Sequence, residues 1–110
     1  MNEKAQKELH TLVKQITNTN QEVVKVILFG SYAYGSPNED SDFDLCVLVN
    51  DTVENVREIR KQIHLSVYEI METPIDLMVY QVSKFKARAS NVVTLEYKID
   101  KEGVVLHGEQ

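Results

Sequence analysis

The chain has 110 residues, 43% apolar and 26% charged, enough to bury one core without disulfide or metal staples, and a single domain over residues 1–110 is expected. A net charge of −5 excludes the basic footprint of a protein that grips nucleic acid, and part of that charge is expected in a site that a cation fills. The single cysteine, Cys46, excludes an internal disulfide and reads as a small buried hydrophobe; the opening MNEKAQKELH lacks the apolar stretch of a signal peptide and no apolar run could span a bilayer, so a cytoplasmic protein without a membrane partner is expected.

Leu9, Leu12, Val13 and Ile16 recur at i, i+3, i+4 and i+7, which predicts an amphipathic helix ending near Asn18–Asn20. Val23 to Phe29 is β-branched and nearly all apolar, the pattern of a buried strand. Gly30, Ser31, Gly35, Ser36 and Pro37 mark a turn region with room for a short helix. From Asp42 to Val49 the chain alternates, with Phe43, Leu45, Val47 and Val49 on one face and Asp42, Asp44, Cys46 and Leu48 on the other. Asp51 and Glu54 are spaced as a capping box. They are expected to open a long helix with Val53, Val56, Ile59, Ile63, Val67 and Ile70 inward, closed by Pro74. Ile75 to Tyr80 predicts a third strand, Ser83 a cap for a helix through Lys84–Ala89, and Val92–Asp100 a last helix stopped at Gly103. Val104–Leu106 reads as a short edge strand. The class is α+β with α/β-like order: a small mixed sheet of three or four strands with helices packed on it.

Strand interiors disfavour aspartate, yet Asp42, Asp44 and Asp76 all fall on strands. Asp42 and Asp44 point to one face, about 6.6 Å apart along the strand, and Asp76 joins them if its strand is adjacent. A lone Asp-x-Asp is ordinarily an exposed pair at a strand start. Three unpaired buried carboxylates are costly, and a divalent cation removes the cost; oxygen-only ligands suit Mg²⁺. Upstream, Gly30-Ser31 follows a strand, where glycine lets backbone N–H groups approach a phosphate and the hydroxyl can donate to its oxygens. Gly-Ser alone is ordinarily a turn. Gly-Ser at a fixed distance before Asp-x-Asp arises by chance on the order of once in a thousand chains of this length.

Gly30-Ser31, ten residues, and then Asp42-Phe43-Asp44 resemble the signature of the DNA polymerase β-like nucleotidyltransferase superfamily. GSYAYGSPNEDSDFDL is similar to its minimal (MNT) branch, Asp76 in PIDLMVY matches the third carboxylate, and KIDKEGVVLHG is similar to the usual end of these domains. The resemblance covers roughly residues 5–107. It implies a nucleotidyltransferase fold, catalytic Asp42, Asp44 and Asp76 holding two Mg²⁺ ions, Gly30 and Ser31 holding the triphosphate tail of ATP or another NTP, and transfer of a nucleoside monophosphate. In one respect the chain departs from it: many family members carry arginine where Tyr34 stands.

Other groups carry less. Arg57 and His64 share a helix face and read as solvated; His10 and His107 lack partners at ligand spacing. Lys84, Lys86 and Arg88 read as an exposed face, while Tyr32, Tyr34 and Tyr80 either stack on a base or pack. Relatives that modify antibiotics or extend RNA ends usually carry a further helical domain, for which this chain is expected to have no residues. The resemblance therefore implies the antitoxin half of a HEPN/MNT pair, which transfers AMP to a tyrosine of the HEPN ribonuclease partner. A small-molecule, aminoglycoside-type nucleotidyltransferase completed by a partner subunit, and a non-catalytic partner-binding module, are the alternatives. Direct binding of nucleic acid is not expected.

Overall fold

Alternating apolar residues make both faces of the central strands hydrophobic, and helices cover both. The computed structural model describes residues 1–38 and 40–109. In chain order the elements are α1 (Glu3–Thr19), β1 (Val23–Phe29), α2 (Ser31–Tyr34), β2 (Phe43–Val49), α3 (Val56–Val67), β3 (Ile75–Gln81), α4 (Val82–Ala89), α5 (Leu95–Glu102) and β4 (Val104–His107). The sheet runs β3-β2-β1-β4. β2 and β3 are parallel, whereas β1 is antiparallel to both β2 and β4. The expected mixed sheet thus has four strands.

One face of the sheet packs Val26, Leu28, Phe43, Leu45 and Val47 against Leu12 and Ile16 of α1 and Ile63 of α3. The opposite face packs Ile27, Phe29, Cys46 and Leu48 against Phe85 and Ala89 of α4 and Ile99 of α5. The alternation in β2 therefore assigns its two faces as expected.

Four helix boundaries differ from expectation, at both ends of α3 and at the starts of α4 and α5. Asp51 and Glu54 do not cap α3. The Val53 N–H closes a turn on the Asn50 carbonyl at 3.1 Å, so the helix starts later, and Asn55 caps it by accepting from the Glu58 N–H at 3.2 Å. Asp51 instead crosses to the start of α4 and accepts from the Ser83 N–H at 3.0 Å, so Ser83 is a capped residue and not a cap. α3 also ends early: the Ile70 N–H turns back to the Val67 carbonyl at 3.0 Å, leaving Ile70 exposed. α5 begins at Leu95 under a Thr94 cap, which accepts from the Tyr97 N–H at 3.1 Å, and Val92 and Val93 stay outside it, exposed.

The entry to the site is tied down from a distance. Glu8 of α1 accepts from the Glu72 N–H at 3.0 Å, the Thr73 N–H at 2.6 Å and the Thr73 hydroxyl at 2.8 Å. Beside this tie, the Phe43 N–H donates to the Pro74 carbonyl at 2.9 Å. The starts of β2 and β3 are thereby fixed together.

Candidate active site

Parallel pairing carries the geometry. Asp44 of β2 stands directly opposite Asp76 of β3, and in-register residues of parallel neighbours point to the same face. That is the face of Cys46 and Leu48, covered further along by α4 and α5. Asp42 lies just before β2, two residues from Asp44, and its charge acts on the Asp44 carboxyl. On the other flank Asp44 pairs with Phe29, the residue before Gly30. One sheet end thus brings together all five residues expected in the site: Gly30, Ser31, Asp42, Asp44 and Asp76.

The expectation that the three carboxylates are buried fails. Asp42 and Asp76 are exposed and Asp44 is half-buried, because α4 and α5 cover the sheet from Cys46 onward and leave this end open. Partial burial, then Asp76 and then Asp42, raise the Asp44 carboxyl above its ordinary pKa, so the three charges press on one another. Among the described residues no three His, Cys, Asp or Glu side chains stand ready-gathered to hold a metal ion; like-charge repulsion opposes such gathering in a free site.

Gly30 is required twice over. Its φ of 72° lies in the left-handed region that side chains disfavour. A Cβ there would fall on the Asp44 carboxylate, 2.8 Å from its Cγ. The backbone therefore lies directly against Asp44, and Ser31 follows as the first residue of α2. The Gly30 carbonyl accepts from the Ala33 and Tyr34 N–H groups at 3.1 and 3.0 Å, which closes that turn.

The three tyrosines have different surroundings. Tyr32 packs its ring on Phe43 at 4.7 Å, and Tyr80 donates to Glu96 at 2.7 Å. Burial and the Glu102 carboxylate raise the Tyr34 phenol above its ordinary pKa against the Gly30 backbone amide, and Asp44 adds to the rise. The Cys46 thiol is buried and pushed up to about 12, chiefly by that burial, which makes it inert. A polar cleft of about 270 Å³ opens beside Asp42, lined by Tyr32, Ser41, Thr73 and Pro74 among others. The groove of about 500 Å³ between α1 and β4 lies away from the carboxylates. Glu8 was not foreseen as a support of this site, and nothing in the local sequence signals a tie across 64 residues.

A glycine-serine turn pressed against Asp44, with Asp76 opposite it at an open sheet end, is the candidate site of this domain. The family model described as "Nucleotidyltransferase domain" matches residues 9–106, and the chain belongs to that family. Its fold is shared with solved toxin-antitoxin structures. It is similar to a crystal structure of a toxin-antitoxin with AMP-PNP, at 24% identity and a TM-score of 0.62 over 94% of this chain and 74% of the other. The complex of tri-AMPylated Shewanella oneidensis HEPN toxin with MNT antitoxin matches at 20% identity and 0.53, covering 96% of this chain and 73% of the other. The toxin-antitoxin MntA-HepT matches at 20% and 0.53, covering 96% and 74%. No curated protein matches the chain significantly.

Proposed function

We propose that this domain transfers AMP from ATP to a hydroxyl, most simply a tyrosine, of a HEPN-type partner protein, and so acts as the MNT antitoxin of a toxin-antitoxin pair. The observation that carries the reading is the in-register pair Asp44–Asp76 on an open face beside Gly30-Ser31. The tri-AMPylated toxin found with a protein of this fold supports the acceptor, and AMP-PNP in another supports the nucleotide.

An all-carboxylate, solvent-open donor set under mutual repulsion suits a hard divalent cation. Asp42, Asp44 and Asp76 would hold two Mg²⁺ ions, which supply positive charge for the attacking and leaving oxygens of an in-line displacement. The chain's own groups do the rest. The Gly30 backbone and the Ser31 hydroxyl hold the triphosphate tail, which turns the α-phosphate toward the open face. There the acceptor oxygen forms its bond to the α-phosphorus, the bond to the bridging oxygen breaks, pyrophosphate leaves and the hydroxyl proton passes to solvent. The cleft beside Asp42 is polar and open, and docking of a partner would supply the orientation of the acceptor hydroxyl.

The test is co-expression with a HEPN-type partner followed by intact mass spectrometry. One or more AMP units on the partner, absent with Asp42→Asn, is the expected result. A partner that is held and inhibited but unmodified would establish the binding-only module instead. Transfer to an aminoglycoside with the partner left untouched would establish the small-molecule enzyme.

A further inference from the structure

Lys98 leaves α5 toward α2, and its Nζ stands 4.6 Å above the centroid of the Tyr34 ring. Tyr34 ends the short helix that starts at Ser31. Its backbone N–H is bonded to the Gly30 carbonyl. A cation is thus held one side chain away from the turn that receives the phosphate tail. Lys98 is exposed and takes part in no ion pair among the described residues; an aromatic face is its visible partner.

We propose that Lys98 is a tail-binding residue, which leaves the Tyr34 ring for the β- and γ-phosphates of the nucleotide held at Gly30-Ser31. The inference rests on the reading of the site as an NTP site. Two features favour it. Asp42, Asp44 and Asp76 at this sheet end repel one another, so a polyanionic tail bound beside them needs a nearby cation. In addition, Lys98 reaches from α5 to the Tyr34 ring at the end of the short helix that Ser31 begins. An ammonium with three donors on a flexible stem suits phosphate as a point charge. A ring face binds it weakly enough for the tail to take it over.

Calorimetric titration with ATP and with inorganic triphosphate tests the assignment, in the wild-type chain and in Lys98→Ala, Lys98→Arg and the double variant Lys98→Ala/Tyr34→Arg. Melting temperatures are checked first; an exposed lysine should leave them unchanged. Lys98→Ala should weaken both ligands about tenfold, the worth of one charge-assisted hydrogen bond. Lys98→Arg should stay near wild type, and the double variant should recover most of the loss. Unchanged affinity in Lys98→Ala, or a loss for ATP without one for inorganic triphosphate, overturns the role of Lys98 and leaves the NTP site standing. A wild-type chain that binds neither ligand overturns the NTP site itself and Lys98 with it.

Discussion

Asp44 and Asp76 face each other in register across two parallel strands, and Asp44 is the more enclosed of the two. Its carboxyl is raised by burial first and by Asp76 and Asp42 next. A raised folded value means that the charged form costs stability above the ordinary carboxylate range, and that the cost disappears as the pH falls. Asp44→Asn should therefore raise the melting temperature at neutral pH without divalent metal, and should have little effect at pH 3. Transfer should fall by about a hundredfold or more, because several kcal/mol of transition-state charge stabilisation depend on the ligand. A melting temperature that drops at neutral pH would show that Asp44 stabilises the fold.

The two glycines that bound α2 separate backbone from site effects. Gly30 and Gly35 both have positive φ, 72° and 91°, so alanine at either should cost about 1–2 kcal/mol in backbone strain. Only at Gly30 would the new methyl meet the Asp44 carboxylate; nothing lies within 4 Å at Gly35. Gly35→Ala should lose stability but keep nucleotide binding, whereas Gly30→Ala should lose both. Urea melts paired with ATP titrations check this. Equal retention of binding in the two variants would reduce Gly30 to an ordinary turn residue.

Glu8 is the support to remove for a test at a distance. It accepts three hydrogen bonds from Glu72 and Thr73, just ahead of β3. Glu8→Ala should cost about 1–2 kcal/mol in urea unfolding, less than the sum of its bonds because the tie is partly solvated. It should also loosen the approach to Asp76, so transfer should fall more steeply than stability explains, and kcat should fall with KM for ATP little changed. Glu8→Gln, which keeps the acceptor oxygen, should restore part of both. A proportional loss of stability and activity would make Glu8 structural only.

Alternation and spacing made the strands and their two faces readable, and placed the candidate residues Gly30, Ser31, Asp44 and Asp76 at one sheet end, because each depends on neighbours along the chain. Coverage did not read out: Asp42 and Asp76 lie open because α4 and α5 reach only as far as Cys46, a matter of helix placement. Asp51 has the spacing of a local cap, yet it caps α4, 32 residues on. The contact of Lys98 with Tyr34 joins two helices that no periodicity relates.

The helices that carry Lys98 and shield the site face are held by one buried carboxylate, and its titration predicts the acid limit of the domain. Glu96 of α5 is 5% exposed. It accepts from the Tyr80 hydroxyl of β3 at 2.7 Å and from Arg88 Nε of α4 at 3.1 Å. Burial pushes its carboxyl up, but the Tyr80 hydroxyl and the Arg88 guanidinium outweigh burial, and the net displacement is downward. A depressed folded value contributes stability that is present above the ordinary carboxylate range and is lost as the pH falls through the folded value. Glu96→Gln should accordingly lower stability at pH 7 by about 1–2 kcal/mol, a modest figure because Arg88 is largely solvated. The variant should also lose less than the wild type between pH 6 and pH 3. Tyr80 works at the other end: burial and Glu96 raise its phenol, so its contribution is complete below its ordinary value, about 10, and fades in stronger alkali. Urea melts of wild type and Glu96→Gln at pH 3, 4.5, 6 and 7 check the prediction. Parallel stability curves for the two proteins would show that Glu96 is not the group that sets the acid limit.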